Sequence, residues 1–459
     1  MNPFSRIYSP LYRHLVFPAV ESVRGRRTHL YLKELREMPY LPREKLEEIR
    51  RDKLLKVVRY AYENVPFYKK LFDDRGLEVE RVTGIEDLRK AGIIIDKELV
   101  RKAGDAILSP EYKKERLHSS GTGGSMGQPV VFYMTMDDWM MRMAIKYRGE
   151  EWVGKPLGTP TSIIWGHGPS DSIFKWMKYL LYWRIQNYQF LSAFDLSDEK
   201  ILGYIRAIKM YGSEFLESYV TVAYEMAKVI DRYRVTPPQL RGILVGAEKL
   251  YDFQQELIEE VFGCPVYNRY GCTEFSNVAS ECKERRGMHI NIDRVWLEVL
   301  NENGEPVEDE VGDLVITDLD NFAMPLIRYR IGDRGILSTE SCSCGINFPL
   351  LKDVVGRESQ MLVTPQGRKM HDIYFIWLIS RSPGLKRFKI VQKAPDLLDF
   401  FLVADGIHSK EDITAFIEDK LSELAGMGIK FRYHFVDEIP LTTSGKMLYF
   451  VSEVKQANE

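Results

Sequence analysis

The sequence predicts an α/β protein: a large layered α/β N-terminal domain spanning residues 1–355, with a small β subdomain at about 280–355, then an α+β C-terminal domain at 356–459. Three observations predict it. Between about Asp96 and Asp353 short apolar runs alternate with helical periodicity, the signature of stacked β-then-α units with some parallel strands. Beyond Leu300 the segments turn strand-rich, as in Val311-Gly-Asp-Leu-Val-Ile-Thr317. After Gly356-Arg357 the pattern restarts as a compact unit of about 100 residues, a usual domain size.

Taken in order, residues 41–72 carry Leu46, Ile49, Leu54, Val57, Val58 and Ala61 on one stripe, which predicts a helix that stops before Pro66. Ile243-Leu244-Val245, between Gly242 and Gly246, reads as a buried strand. Phe253, Leu257, Ile258 and Val261 then trace a helix face ending at Gly263, and Pro265 to Asn268 resumes an extended run. In the last unit Phe388 to Val391, Leu397 to Val403 and Phe431 to Val436 read as strands. Ser409, three residues before Asp412, caps a helix whose Ile413, Phe416, Ile417, Leu421 and Leu424 share a face. The carboxylate pairs Asp137-Asp138 and Glu150-Glu151 read as solvated helix surface.

Composition narrows the function classes. The 459 residues are 45% hydrophobic and 28% charged, with 64 Lys and Arg against 66 Asp and Glu, so the bulk basic charge of a nucleic-acid binder is absent. No apolar run reaches the roughly 18 residues a bilayer span requires. Without an export signal and with five Cys, the chain is expected to be cytoplasmic with reduced thiols or metal ligands. Arg24, Arg26 and Arg27 follow an aromatic-rich stretch from Phe4 to Phe17. That arm reads as packing its aromatics on the body, with contact to an anionic membrane surface as the alternative.

Four segments carry chemistry. In Leu117-His-Ser-Ser-Gly-Thr-Gly-Gly-Ser-Met-Gly-Gln-Pro-Val130 the hydroxyls and glycines make a loop whose backbone amides can converge on an anion. It lacks the Gly-Lys-Ser/Thr ending of a Walker loop. Tyr267-Asn-Arg-Tyr-Gly-Cys-Thr-Glu274 sets an aromatic, a hydroxyl and a carboxylate close together, suited to a base, a phosphate and Mg2+. Arg328-Tyr-Arg-Ile-Gly-Asp333 offers a carboxylate for ribose hydroxyls. Pro440-Leu-Thr-Thr-Ser-Gly-Lys446 puts a lysine on a glycine-bearing loop.

In this order the segments resemble the adenylate-forming superfamily, and within it the phenylacetate-CoA ligase branch with its capsular-polysaccharide-associated relatives. The resemblance also takes in Val57-Val-Arg-Tyr-Ala-Tyr-Glu-Asn-Val-Pro-Phe-Tyr68. It implies an ATP-dependent, AMP-forming ligase that activates a small-molecule carboxylic acid as its acyl-adenylate, with loss of pyrophosphate, and passes the acyl group to coenzyme A, with loss of AMP and with a C-terminal domain that is mobile. The alternatives are transfer to an amine in cell-surface polysaccharide modification, or a nucleotide-binding scaffold without turnover. The acceptor, the identity of the acid and the oligomeric state, a homodimer included, stay open.

By the resemblance, Ser119, Ser120, Gly121, Thr122, Gly124, Ser125 and Gly127 wrap the β and γ phosphates, and Gly246, Ala247 and Glu248 line the adenine. Tyr270, beside Gly271, stacks on it; Thr273 touches the α-phosphate, Glu274 binds Mg2+, and Asp333 holds the ribose with Arg357 assisting at the hinge. Lys446 neutralises charge as the carboxylate attacks. The chain departs from the family pattern at Gly123-Gly124, Met126 and Gln128 in the phosphate loop, at Gln360 in the hinge, and at Tyr449.

Cys282, His289, Cys342 and Cys344 supply three thiolates and an imidazole, enough for a closed tetrahedral zinc site with a structural role; free thiols and a surface histidine are the other reading. Cys264 and Cys272 read as bystanders. Trp165-Gly-His167 and the start of a helix at Ser218 to Tyr224 are candidates for the border of the acid pocket, against ordinary turn and helix residues.

Overall fold

The structure, a computed structural model, describes residues 3–121, 130–166, 173–193, 196–357, 361–366, 369–371, 379, 382–440 and 447–454. The chain opens with helices α1 (Pro3–Leu11), α2 (Phe17–Val23) and α3 (Thr28–Leu35), a π-helical turn joining the first two. Helix α4 (Arg43–Asn64) buries Leu46, Leu54, Val57, Val58 and Ala61. It ends where Val65 turns extended ahead of Pro66, the first residue of α5 (Pro66–Asp74). Two short helices follow, α6 (Ile85–Lys90) and α7 (Lys97–Ala103).

One twelve-stranded sheet organises the body. Its first strand in sequence, β1 (Ile95–Asp96), is followed by a separate hairpin of β2 (His118–Gly121) and β3 (Val131–Met134), and then by helix α8 (Met136–Trp152). Strands β4 (Thr161–Trp165), β5 (Tyr188–Ser192), β6 (Phe215–Tyr219), β7 (Gly242–Gly246) and β8 (Val266–Cys272) are parallel, in the order β5-β4-β6-β7-β8. Helices α9 (Ile173–Ile185), α10 (Asp198–Tyr211), α11 (Val220–Tyr233) and α12 (Asp252–Phe262) connect them, and α12 ends at Gly263, which adopts φ +66° as a C-cap. Such crossovers cover the faces of a parallel sheet, so its strands read as apolar runs.

After β8 the sheet turns antiparallel through β9 (Ser276–Glu281), β10 (Met288–Ile290), β11 (Val295–Leu300), β12 (Val311–Asp318), β13 (Tyr329–Leu337) and β14 (Leu350–Arg357). The turn-rich region is joined to the parallel strands through the pairing of β9 with β8.

Beyond it lie a small ladder of β15 (Met361–Val363) and β16 (Lys369–His371) and a four-stranded sheet. That sheet joins β17 (Leu385–Ala394), β18 (Leu397–Ala404), β19 (Lys430–Phe435) and β20 (Phe450–Ser452) in the order β19-β18-β17-β20. Helix α13 (Lys410–Lys420) packs on it through Ile413 and Ile417, its start fixed by the Ser409 hydroxyl accepting from Asp412 N at 3.1 Å. One apolar core runs from the parallel strands and α11 into Phe388, Ile390 and Phe400 of this last sheet.

Candidate active site

In an open α/β sheet ligands gather outside the carboxyl ends of the strands, where the strand order reverses. Here the reversal falls between β4 and β6, whose last residues Trp165 and Tyr219 pack at a 32° tilt with ring centroids 4.1 Å apart. On the same edge β7 ends at Gly246 and β8 runs out through Tyr270 to Cys272.

Local geometry explains the residue types. A Cβ at Gly246 would sit 3.0 Å from Arg269 Cγ, and one at Gly271 would collide with the Ser276 carbonyl. Ala247 is held at φ +67° although it is not glycine, a strain of about 1–3 kcal/mol that persists where the surroundings over-determine the backbone. The Glu248 carboxylate accepts from Thr221 N at 2.7 Å, at the first turn of α11, and from Met447 N at 3.2 Å. It thus ties the end of β7 to the residue that follows Lys446.

Tyr270 is buried and donates its hydroxyl to Asp333 Oδ2 at 2.8 Å; burial, then the neighbouring carboxylate, hold that phenol well above its usual pKa. Asp333 also faces Arg357 across the β13–β14 ladder, so the two sequence-predicted ribose residues share one register. Glu274 is buried, with Tyr329 donating to its Oε1 at 3.4 Å, and Thr273 precedes it half-buried. Tyr329 packs edge-on against Phe132 at 6.2 Å, bringing the root of the β2–β3 hairpin beside Glu274. Ser119, Ser120 and Gly121 lie in that hairpin. Thr122, Gly124, Ser125, Gly127, the departures Gly123, Met126, Gln128 and Gln360, and His167 and Lys446 lie outside the described residues.

Sequence reading missed the charges beneath this edge. Asp138 and Glu150, expected on solvated surface, are both buried. Asp138 pairs with Arg142 (2.9 Å) and with Arg294, and Asp318 joins both arginines at 3.0 and 3.1 Å. Arg142 also donates to the Glu274 carbonyl at 2.7 Å, clamping the backbone of the proposed Mg2+ ligand. The i, i+4 spacing of Asp138 and Arg142 was the available signal.

Glu150 pairs with Lys155 at 2.5 Å and Lys146 at 3.4 Å, and Glu217 with Arg269 at 2.5 Å and Lys146 at 3.0 Å. Burial opposes ionisation of Glu217, but Arg269, Lys146 and Lys155 outweigh it and hold the carboxyl below its usual range. Removing one member of such a buried set leaves an uncompensated charge and costs about 3–5 kcal/mol.

The four Cys and His residues converge 60 residues apart in sequence: Cys282 Sγ lies 3.6 Å from Cys342 Sγ and Cys344 Sγ 3.3 Å from His289 Nε2, with all four ligand atoms within 4.8 Å of one another. Ligand bonds of 2.0–2.3 Å place tetrahedral zinc ligands about 3.5–3.8 Å apart, so the set fits that ion. Burial lowers the His289 pKa, keeping the ring neutral, and its Nδ1 donates to the Phe348 carbonyl at 3.2 Å, which aims Nε2 at the thiols. Among the described residues Cys264 and Cys272 join no such group.

The fold has counterparts among solved structures. A crystal structure of 2-hydroxyisobutyryl-CoA ligase in the postadenylation state, with R3-HIB-AMP, superposes with a TM-score of 0.74 at 16% identity, over 91% of each chain. The open conformation of that enzyme, with 2-HIB-AMP and CoA, gives 0.59 over 88% of this chain and 90% of the other. The fold is that of the adenylate-forming ligases.

Residues 362–453 match the family model of the CapK C-terminal domain. Phenylacetate-coenzyme A ligase of Thermus thermophilus is 28% identical over 340 residues, 71% of this chain and 74% of its own. Protein CapK of Staphylococcus aureus is 25% identical over 421 residues, 89% and 90% of the two chains. The chain is a homologue of the phenylacetate-CoA ligases and of CapK. Among the described residues no helix is long and apolar enough to cross a membrane.

Proposed function

We propose that the chain is an ATP-dependent, AMP-forming ligase that activates a carboxylic acid as its acyl-adenylate and passes the acyl group to coenzyme A. The observation that carries this reading is the convergence of Gly246 to Glu248, Tyr270 to Glu274 and Asp333 on one edge of the sheet, with Met447 bonded to Glu248. Asp333 accepts the ribose hydroxyls, with Arg357 beside it. Gly246 to Glu248 line the base and Tyr270 presents its ring there. Ser119 to Gly127 hold the outer phosphates.

A carboxylate oxygen then bonds the α-phosphorus while the bond from that phosphorus to the bridging oxygen breaks, and pyrophosphate leaves. Anions approach each other in this step, so positive charge and oriented amides supply most of the stabilisation. Glu274 would hold Mg2+, which when bound offsets the phosphate charge, and Lys446 adds a second cation. In the second half-reaction a thiolate bonds the acyl carbon and AMP leaves. The Cys282, His289, Cys342 and Cys344 set would hold zinc as a staple between the antiparallel strands, away from the chemistry. Residues 356–459 act as the lid that carries Lys446.

A second reading, transfer to an amine in polysaccharide modification, draws on the likeness to CapK, which spans more of the chain than that to the Thermus ligase. One assay tests both. The protein is incubated with ATP, Mg2+ and aryl, fatty and sugar acids, with hydroxylamine as trap, while pyrophosphate is followed. Release with an acid, and faster AMP production on adding coenzyme A, is the expected result. Release that coenzyme A leaves unchanged and amino sugars accelerate supports the amine, whereas nucleotide binding without release for any acid defeats both. Lys446→Ala should slow pyrophosphate release by about 10²–10³-fold, the usual loss for one group acting on transition-state charge.

A further inference from the structure

Exposed apolar side chains collect on one part of this molecule. On α1, the π-turn after it and α2, Ile7 (75% exposed), Leu11, Leu15 (64%) and Val23 face solvent, and on α9 so do Met177, Leu180 and Leu181 (64%). Ile7, Leu11 and Leu15 recur every four residues, so they share a helical face. The opposite face buries Tyr12 and Phe17 against Tyr147 and Leu157, as expected for the arm's aromatics.

The two segments lie side by side. Tyr8 donates its hydroxyl to the Ile185 carbonyl at 2.6 Å, and the Arg24 guanidinium lies 4.2 Å over the Tyr182 ring.

Charge is segregated to the same place. Residues 1–27 hold Arg6, Arg13, Arg24, Arg26 and Arg27 with one acid, Glu21, which is buried. Residues 173–192 hold Lys175, Lys178 and Arg184 with no acid. These stretches carry eight basic residues against one acidic, while the rest of the chain holds 56 against 65. Exposed Leu and Ile among Arg, Tyr and Trp, with no exposed carboxylate, is the composition of a helix that lies in a bilayer interface. Its partner must be apolar and anionic together.

From this we infer that α1, α2 and α9 form a face that docks the protein on an anionic lipid surface. The apolar side chains enter the acyl boundary and the arginines meet the headgroups. A second copy of the chain is disfavoured as the occupant, because a twofold contact would set this basic face against itself. Docking here is independent of the ligase chemistry, since no residue of the candidate active site lies in either segment.

The test is cosedimentation of the full chain with vesicles of phosphatidylcholine alone or mixed with phosphatidylglycerol, at low and high salt. Binding to the anionic vesicles only, weakened by salt, is expected. Leu15→Glu with Leu181→Glu should cut it at least about tenfold, as apolar insertion requires, with melting temperature and pyrophosphate release unchanged. No binding to anionic vesicles overturns the proposal. So does undiminished binding of the double variant, which would mean charge alone attracts the protein. A dimer in light scattering that the double variant abolishes would assign the face to a second copy and overturn it as well.

Discussion

At the scale of single residues, Glu281 shows burial acting on a carboxyl. It accepts from Asn268 N at 2.7 Å and lies near Arg285, yet burial pushes its pKa up to about 7. The folded state therefore holds a proton that the unfolded chain has released by pH 5 or so, and stability falls as pH rises from about 4.5 to about 7. Glu281→Gln keeps an oxygen acceptor for the amide and removes that loss. Urea midpoints compared at about pH 5 and about pH 8 should differ less in the variant than in the parent, and parallel shifts would place the carboxyl in water. Such side chains were opaque in the sequence for a physical reason. Asp138 and Glu150 stand among charged neighbours on a helix and look solvated, because Arg142, Lys146 and Lys155 are near in sequence, while Arg294 and Arg269, which complete the buried sets, come from a turn and a strand more than a hundred residues on. Tyr270 and Asp333 were each picked out by motif, while the 2.8 Å bond between them, across 63 residues, was not.

Elements were legible where the determinants are local. The start of α13 needs only Ser409 and Asp412, and the end of α12 needs only Gly263 at positive φ, so both were read correctly. The strand-rich character of residues 300–355 is legible because its turns are local, whereas its join to the parallel strands depends on pairing of β9 with β8 and of β10 with β14. Thiols and imidazole were conspicuous because few side chains make soft ligands. Their site joins the end of β9, β10 and the β13–β14 connection, so a bound ion crosslinks three segments. Cys342→Ser should purify without the zinc that the parent retains, and should melt several degrees lower, since metal affinity at such a site is folding free energy. A parent protein free of metal by elemental analysis and melting with the variant would refute the zinc assignment.

For the molecule as a whole, the decisive feature is how the last sheet sits on the body. Arg387, on β17, donates to the Leu196 carbonyl at 3.0 Å and lies 3.9 Å from Glu225 of α11; Lys228 of α11 reaches the Lys386 carbonyl at 2.6 Å, and Met447 N reaches Glu248. If this placement serves the adenylation step, loosening it should affect one half-reaction and spare the other. Arg387→Ala removes a hydrogen bond and a partly exposed ion pair, together worth about 1–2 kcal/mol, which shifts a two-state equilibrium about 5- to 30-fold. Pyrophosphate release should slow by up to that factor, while reaction of coenzyme A with added acyl-adenylate stays at the parental rate or rises. Equal slowing of both steps would mean that Arg387 supports the fold alone, because a contact made in only one arrangement cannot change the free energy of the other.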